Sequence, residues 1–227
     1  MEKLNLSMRN SALLVIVLAL TWTACKKDPS NVDIDLGYDY FPNQTLKYKE
    51  YFVDSTHHGI TEENFQFYIR EELTESFMDN EGQVAVRVER SKKNTLEDDW
   101  VLTDIWTQKR TSTSAQRVEE NLRYVRLAFP ADLEEQWNGN GYNDLDEWVH
   151  RYLEVDVPKQ VGAFNFGSTV TVEQRNNVNL VDQELSTEVY AKGVGLVHKS
   201  LIDLNFQNFE ITGVELEMTL IDHGWIE

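Results

Sequence analysis

The chain of 227 residues has a single cysteine, so no disulfide can form within it. Its four prolines and eleven glycines are too thinly spread to make a linker. A chain of this length without such a break reads as one domain around one core. Basic residues are scarce, with 21 Lys and Arg against 39 Asp and Glu and a formal net charge of −18. Phosphate backbones are bound by clustered cations, so nucleic acid is excluded as a partner. Anionic lipid offers such a surface no electrostatic dock either. The acidic runs Glu97-Asp98-Asp99 and 144–147 are too short for a binding tail, and the acidity reads as solubility. Long hydrophobic runs are missing as well. The longest spans residues 12–20, nine residues against the ~20 that a helix needs to cross a bilayer.

That short run nonetheless sits in an informative place. Lys3 and Arg9 precede it, and Thr21, Trp22, Thr23, Ala24 and Cys25 follow. A charged start, a short apolar stretch and a small residue before the cut make an export signal, here residues 1–24. The stretch Leu20-Thr21-Trp22-Thr23-Ala24-Cys25 resembles a lipobox, the signal of bacterial lipoproteins, with Trp22 where the family usually has an aliphatic residue. That resemblance implies that Cys25 becomes the lipidated N-terminus of the mature chain. Its polar neighbours Thr23, Lys26, Lys27 and Asp28 are not core-like, which agrees. Two or more acyl chains give stable anchoring. The segment Ala24-Cys25-Lys26-Lys27-Asp28 looks like the lipoproteins of the Bacteroidota. Phe41-Pro42-Asn43-Gln44-Thr45, Trp137-Asn138-Gly139-Asn140 and Tyr190-Ala191-Lys192-Gly193-Val194-Gly195-Leu196-Val197 look like a lipoprotein family of that group. The resemblance brings no activity with it. It implies a cell-envelope location, at the outer membrane on its periplasmic or surface face. Residues 25–33 then read as a lipidated polar tether and 34–227 as the folded domain.

Within 34–227, alternation with period two dominates. Ile34, Leu36, Tyr38 and Tyr40 alternate, as do Phe65, Phe67, Ile69 and Leu73, interrupted by Glu71. Val84, Val86 and Val88 continue the pattern, then Trp100, Leu102 and Trp106, Val170 and Val172, and Val214, Leu216, Met218 and Leu220. Such alternation in β-branched and aromatic residues predicts half-buried strands. Asp79-Asn80-Glu81-Gly82 predicts a hairpin loop, His57-His58-Gly59 a strand end, and Asn138-Gly139-Asn140-Gly141 an irregular turn. Helical periodicity is confined to one turn at 132–137 and a weaker candidate at 113–122. About ten strands without alternating helices predict an antiparallel all-β domain with at most one or two short helices. Several strands are apolar on both faces, such as Leu122 and Tyr124 against Val125, Leu127 and Phe129. That favours a barrel-like form with a partly filled interior, the alternative being a β-sandwich.

Catalytic signatures are missing. The five histidines lack zinc-site spacing, and adjacent His57 and His58 point to opposite sides of a strand. Asn138, Asn140, Asp144, Asp146 and Glu147 suggest a calcium loop, but Tyr142 stands where an oxygen ligand belongs. There is no G-x-S-x-G, and Gly193-Val194-Gly195 stops short of a phosphate loop. No cofactor, metal site or enzymatic activity is therefore expected. Trp100, Trp106 and Trp148 lie at strand spacing and read as core. Trp137, Asn138, Asn140, Tyr142 and Asn143 combine a flat apolar ring with amides that donate and accept, the make-up of a ligand loop. Two expectations remain open. One is an envelope module that holds a lipid, glycan or other small molecule in a barrel-like pocket. The other is a scaffold lipoprotein that binds another envelope protein and fills its interior with its own side chains.

Overall fold

The computed structural model describes residues 34–207 and 209–226. The expected signal segment 1–24, Cys25 and the tether 25–33 lie outside the described residues. The described residues form twelve strands: β1 (Lys47–His58), β2 (Glu63–Met78), β3 (Val84–Lys93), β4 (Val101–Arg110), β5 (Ser114–Glu119), β6 (Leu122–Ala128), β7 (Gln136–Asn138), β8 (Val149–Val161), β9 (Phe164–Val178), β10 (Asp182–Ala191), β11 (Gly195–Gln207) and β12 (Glu210–Trp225). They make one antiparallel sheet in the order β6-β5-β4-β3-β2-β1-β12-β11-β10-β9-β8-β7. Every neighbour but the β1–β12 pair is consecutive in sequence, so hairpins account for nearly all of the topology. The β1–β12 pairing joins the two ends of the chain, Lys47 opposite Trp225 through His58 opposite Gly213. The sheet curls until its edge strands meet. There the Val125 N–H donates to the Gly139 carbonyl at 2.8 Å, and the Trp137 indole N–H to the Val125 carbonyl at 3.0 Å. The result is a nearly closed barrel, as the two-faced apolar strands predict, and not a sandwich.

Alternation sets which side chains enter. On β1, Lys49, Tyr51, Val53 and Ser55 are buried, while Tyr48, Glu50, Phe52 and Asp54 between them are more exposed. A continuous core of Tyr51, Val53, Ile69, Leu127, Val170, Val172 and Leu220, among others, fills much of the interior. The loop 79–82 joins β2 to β3 as expected, with Gly82 at a positive φ of 72° that its neighbours would resist. Three local expectations fail. Segment 113–122 is no helix but mostly β5, because backbone pairing to β4 and β6 on both sides outweighs a weak helical pattern. Residues 132–137 likewise form a turn and enter β7. The alternating Leu36, Tyr38 and Tyr40 also form no strand. The Asp35 carboxylate accepts the Gly37 N–H at 2.8 Å, Gly37 takes a φ of 80°, and a 3-10 turn at Tyr38–Tyr40 follows. Tyr40 is thereby buried against the barrel.

Candidate functional site

The apolar interior gives way to charge along one wall. Register places Lys49 of β1 opposite Glu71 of β2, and Glu71 opposite Arg90 of β3. Gln108 of β4 faces Arg117 of β5, and Glu188 of β10 faces Lys199 of β11. Curling the sheet brings these rows together as a chain of alternating sign. Lys49 stands 3.5 Å from Glu71, which bonds Arg117 at 2.7 Å. Arg117 lies 3.9 Å from Glu119, and Glu119 bonds Arg126 at 2.6 Å. Arg126 is 3.7 Å from Glu188, which meets Lys199 at 3.2 Å. The Tyr190 hydroxyl donates to the second oxygen of Glu188. Glu71 and Glu188 are each 2% exposed, so these carboxylates are held by protein alone.

Burial and pairing set the ionisation. Burial raises the Glu71 carboxyl, but Arg117, Lys49 and Arg90 outweigh it and hold it well below the usual range. Glu188 is brought down to about 2, because Lys199 and Arg126 overcome the same desolvation. Burial lowers Arg117 and Arg126, but the carboxylates beside them raise both well above the ordinary value. Lys49 is the exception. Burial pushes it down to about 8, because Glu71, its chief counter-charge, sits closer to Arg117. The chain thus consists of fixed charges with one ammonium that is poorly compensated.

Two cavities flank this wall. One, of about 200 Å³, lies at the end of the barrel where β1 begins and β12 finishes, under the turn between β10 and β11. The other, of about 220 Å³, lies deeper, between the charged wall and an apolar side that includes Val53, Phe67, Leu216 and Met218. Arg117, Arg126, Tyr190 and Leu196 line both and form the partition. Trp106 borders the deeper cavity, with the guanidinium groups of Arg90 and Arg117 at 4.5 and 5.2 Å from its ring centre. It is half-buried and cation-stacked, not the core residue its spacing suggests; Trp100 and Trp148 are half-buried too.

The loop from Trp137 to Asn143 lies at the barrel seam, away from the lining of both cavities. Trp137 packs on Tyr152 at 4.7 Å and edge-on to His150 at 5.7 Å. The Asn138 side-chain oxygen accepts from the backbone N–H groups of Asn140 and Trp148. Asn140 is buried and donates to the Asp146 carbonyl, and Asn143 donates to the Arg123 carbonyl. Of the side chains singled out from sequence, only that of Tyr142 is largely exposed, at 56%. Gly139 does permit a close approach, but to the protein itself, since a Cβ there would lie 2.4 Å from the His150 ring. The amides of this loop are thus used to close the barrel. Sequence reasoning passed over the interior charges, although Glu71 was visible as an acid interrupting an apolar face. Among the described residues, no group of three or more His, Cys, Asp or Glu side chains is placed to hold a metal ion.

No protein-family model and no curated protein matches the chain. Among solved structures it is similar to a protein of Bacteroides fragilis taken to be exported, with a YmcC-like fold, at 9% identity and a TM-score of 0.45, over 81% of this chain and 98% of that one. It is also similar to a protein of Parabacteroides distasonis taken to be a lipoprotein, at 10% identity and a TM-score of 0.45, over 82% of this chain and 98% of that one. Likenesses this distant carry no conclusion about what this chain does.

Proposed function

We propose that the protein is an envelope lipoprotein, anchored through acyl chains on Cys25, whose barrel binds a small molecule. The observation that carries the binding reading is the pair of cavities on either side of a buried charged wall. A scaffold that only presents its outer surface has no use for an interior kept partly empty. Ionic side chains in place of packed hydrophobic ones usually cost stability as well. Concave sites with a few convergent polar groups are where ligands bind. Binding fits the wall better than catalysis does. Glu71 and Glu188 are clamped by cations and stay ionised, so neither is poised to exchange a proton near neutral pH. The anchoring reading rests on the lipobox-like sequence before Cys25 and places the barrel at the outer membrane, with no nucleic-acid partner.

Two experiments test this proposal. Cys25→Ser is expected to lose incorporation of a labelled fatty acid and to leave the membrane fraction, and equal labelling of mutant and wild type would refute the anchor. For binding, mass spectrometry of small molecules released from the purified full chain is compared with a Leu73→Trp variant that fills the outer cavity. A species retained by the wild type and absent from the variant is expected. Identical profiles would refute the outer cavity as the binding site.

A further inference from the structure

The outer cavity differs from the rest of this acidic molecule in the sign of its lining. Acids outnumber bases 39 to 21 in the chain, yet among the described residues no Asp or Glu lines this cavity, while Lys47, Lys49, Arg117 and Arg126 do. The buried carboxylates reach these cations from the other side of the partition and are outnumbered there. Glu71, Glu119 and Glu188 serve Lys49, Arg117, Arg126 and Lys199, with Arg90 beside Glu71 in register. Among the described residues, Lys47 has only the Gly193 carbonyl, at 2.7 Å, as a hydrogen-bond acceptor. Among the described residues the buried Nε–H of Arg117 makes no hydrogen bond, its nearest carboxylate oxygen, on Glu119, being 3.9 Å away, although the guanidinium itself is paired with Glu71. Of these cations Lys49 is the one both buried and poorly compensated; such a charge is costly, and a fold keeps it where something else supplies the counter-charge. Apart from Gln108 and His223 the remaining side chains of the lining are apolar or aromatic, and Trp225 stands at the cavity's edge 61% exposed, with the Lys47 ammonium 4.9 Å from its ring centre.

We propose that the outer cavity takes a small organic anion, its charged group held among Lys47, Lys49, Arg117 and Arg126 and its apolar body against Leu73 and Trp225. This rests on the small-molecule reading above and names the class of ligand. At a liquid share of ~30 Å³ per water, about 200 Å³ holds about seven waters. The ligand, or the part of it inside, therefore has about that many non-hydrogen atoms. A short-chain or single-ring carboxylate has that size and that charge. Burial lowers Lys47 and Lys49 by more than Asp39, near the first, and Glu71 and Glu188, near the second, raise them, so further negative charge there would be favourable.

Calorimetric titration of the full chain with hexanoate, benzoate, 1-hexanol and inorganic phosphate tests this. Hexanoate or benzoate is expected to bind, with 1-hexanol and phosphate about tenfold weaker or more, since each lacks either the charge or the apolar body. Lys49→Met is expected to weaken the carboxylate by about tenfold or more. Lys47→Gln, at the rim where folding is not at stake, is expected to weaken it by about threefold with an unchanged melting temperature. Equal binding of 1-hexanol and hexanoate, both lost in Leu73→Trp, would overturn the anionic class while leaving the small-molecule reading standing. Carboxylate binding indifferent to both lysine variants would overturn the proposed anchors and with them the proposal. No heat from any probe, together with identical released species from wild type and Leu73→Trp, would overturn both readings.

Discussion

Replacing Lys49 by methionine should make the protein more stable at neutral pH, not less. Lys49 is 8% exposed, and its nearest carboxylate, Glu71 at 3.5 Å, is already bonded by Arg117 at 2.7 Å. An ordinary lysine titrates near ~10.4, and burial brings this one to about 8. At ~1.4 kcal/mol per pH unit, holding the ammonium charged in the fold costs about 3 kcal/mol. Methionine matches the length of the stem and removes the charge, and Glu71 keeps Arg117, so no carboxylate is stranded. A gain of up to about 3 kcal/mol is expected at pH 7, a figure from which the attraction to Glu71 is already subtracted. The pH dependence follows from linkage. Between pH 8 and ~10.4 the unfolded chain holds a proton at Lys49 that the folded one has released, so wild-type stability rises with pH across that window. The variant lacks this rise, and the two proteins should converge near pH 10.4. The other groups facing Lys49 are silent there: Glu71 and Glu188 stay ionised, Arg117 stays charged, and Tyr51 is raised well above its usual value. Urea unfolding followed by tryptophan fluorescence at pH 7, 8, 9 and 10 measures the difference. A variant less stable by about 3 kcal/mol at pH 7 would show that Lys49 is a structural pair member, the cost expected when a buried pair is broken. A difference that does not change with pH would refute the argument equally.

Three further outcomes concern the seam. Gly139→Ala should destabilise by about 2 kcal/mol, since the added methyl would lie 2.4 Å from the His150 ring, and a thermal melt unchanged from wild type would contradict this. Trp137→Ala should cost about 3 kcal/mol in chemical unfolding, because the ring packs on Tyr152 and its N–H closes β6 against β7. His150 is 2% exposed and burial pushes it down to about 4, so the fold loses stability as pH falls from ~6.5 towards 4, where the unfolded chain takes up a proton that the fold refuses. His150→Leu should remove that acid-side loss, and unfolding curves at pH 4.5 and 7 compare the two proteins.

The alternation of side chains on successive strands is a property of the extended backbone, so strand positions and the all-β class were legible residue by residue. Val53, Val86 and Val170 face inward as their spacing implies, and 79–82 turns where its glycine allows. Local pattern misled at 36–40, 113–122 and 132–137, where packing and pairing outweighed it, and in the core reading of Trp100, Trp106 and Trp148. The loop of Trp137 to Asn143 has the composition of a recognition loop, but composition cannot say that its amides bond within the seam. Lys49, Glu71, Arg117, Arg126 and Glu188 each look in sequence like one charge among sixty. The period of two gives each strand a face, but neither its partner nor the register with that partner. Those follow from closing a twelve-stranded sheet through the β1–β12 pair, which brings residues more than a hundred positions apart within bonding distance. The sequence alone therefore determined the strands and the lipobox-like signal. Only the closed barrel decided that its interior is charged, because a charge becomes a site when burial removes its water and leaves it to find a partner within the fold.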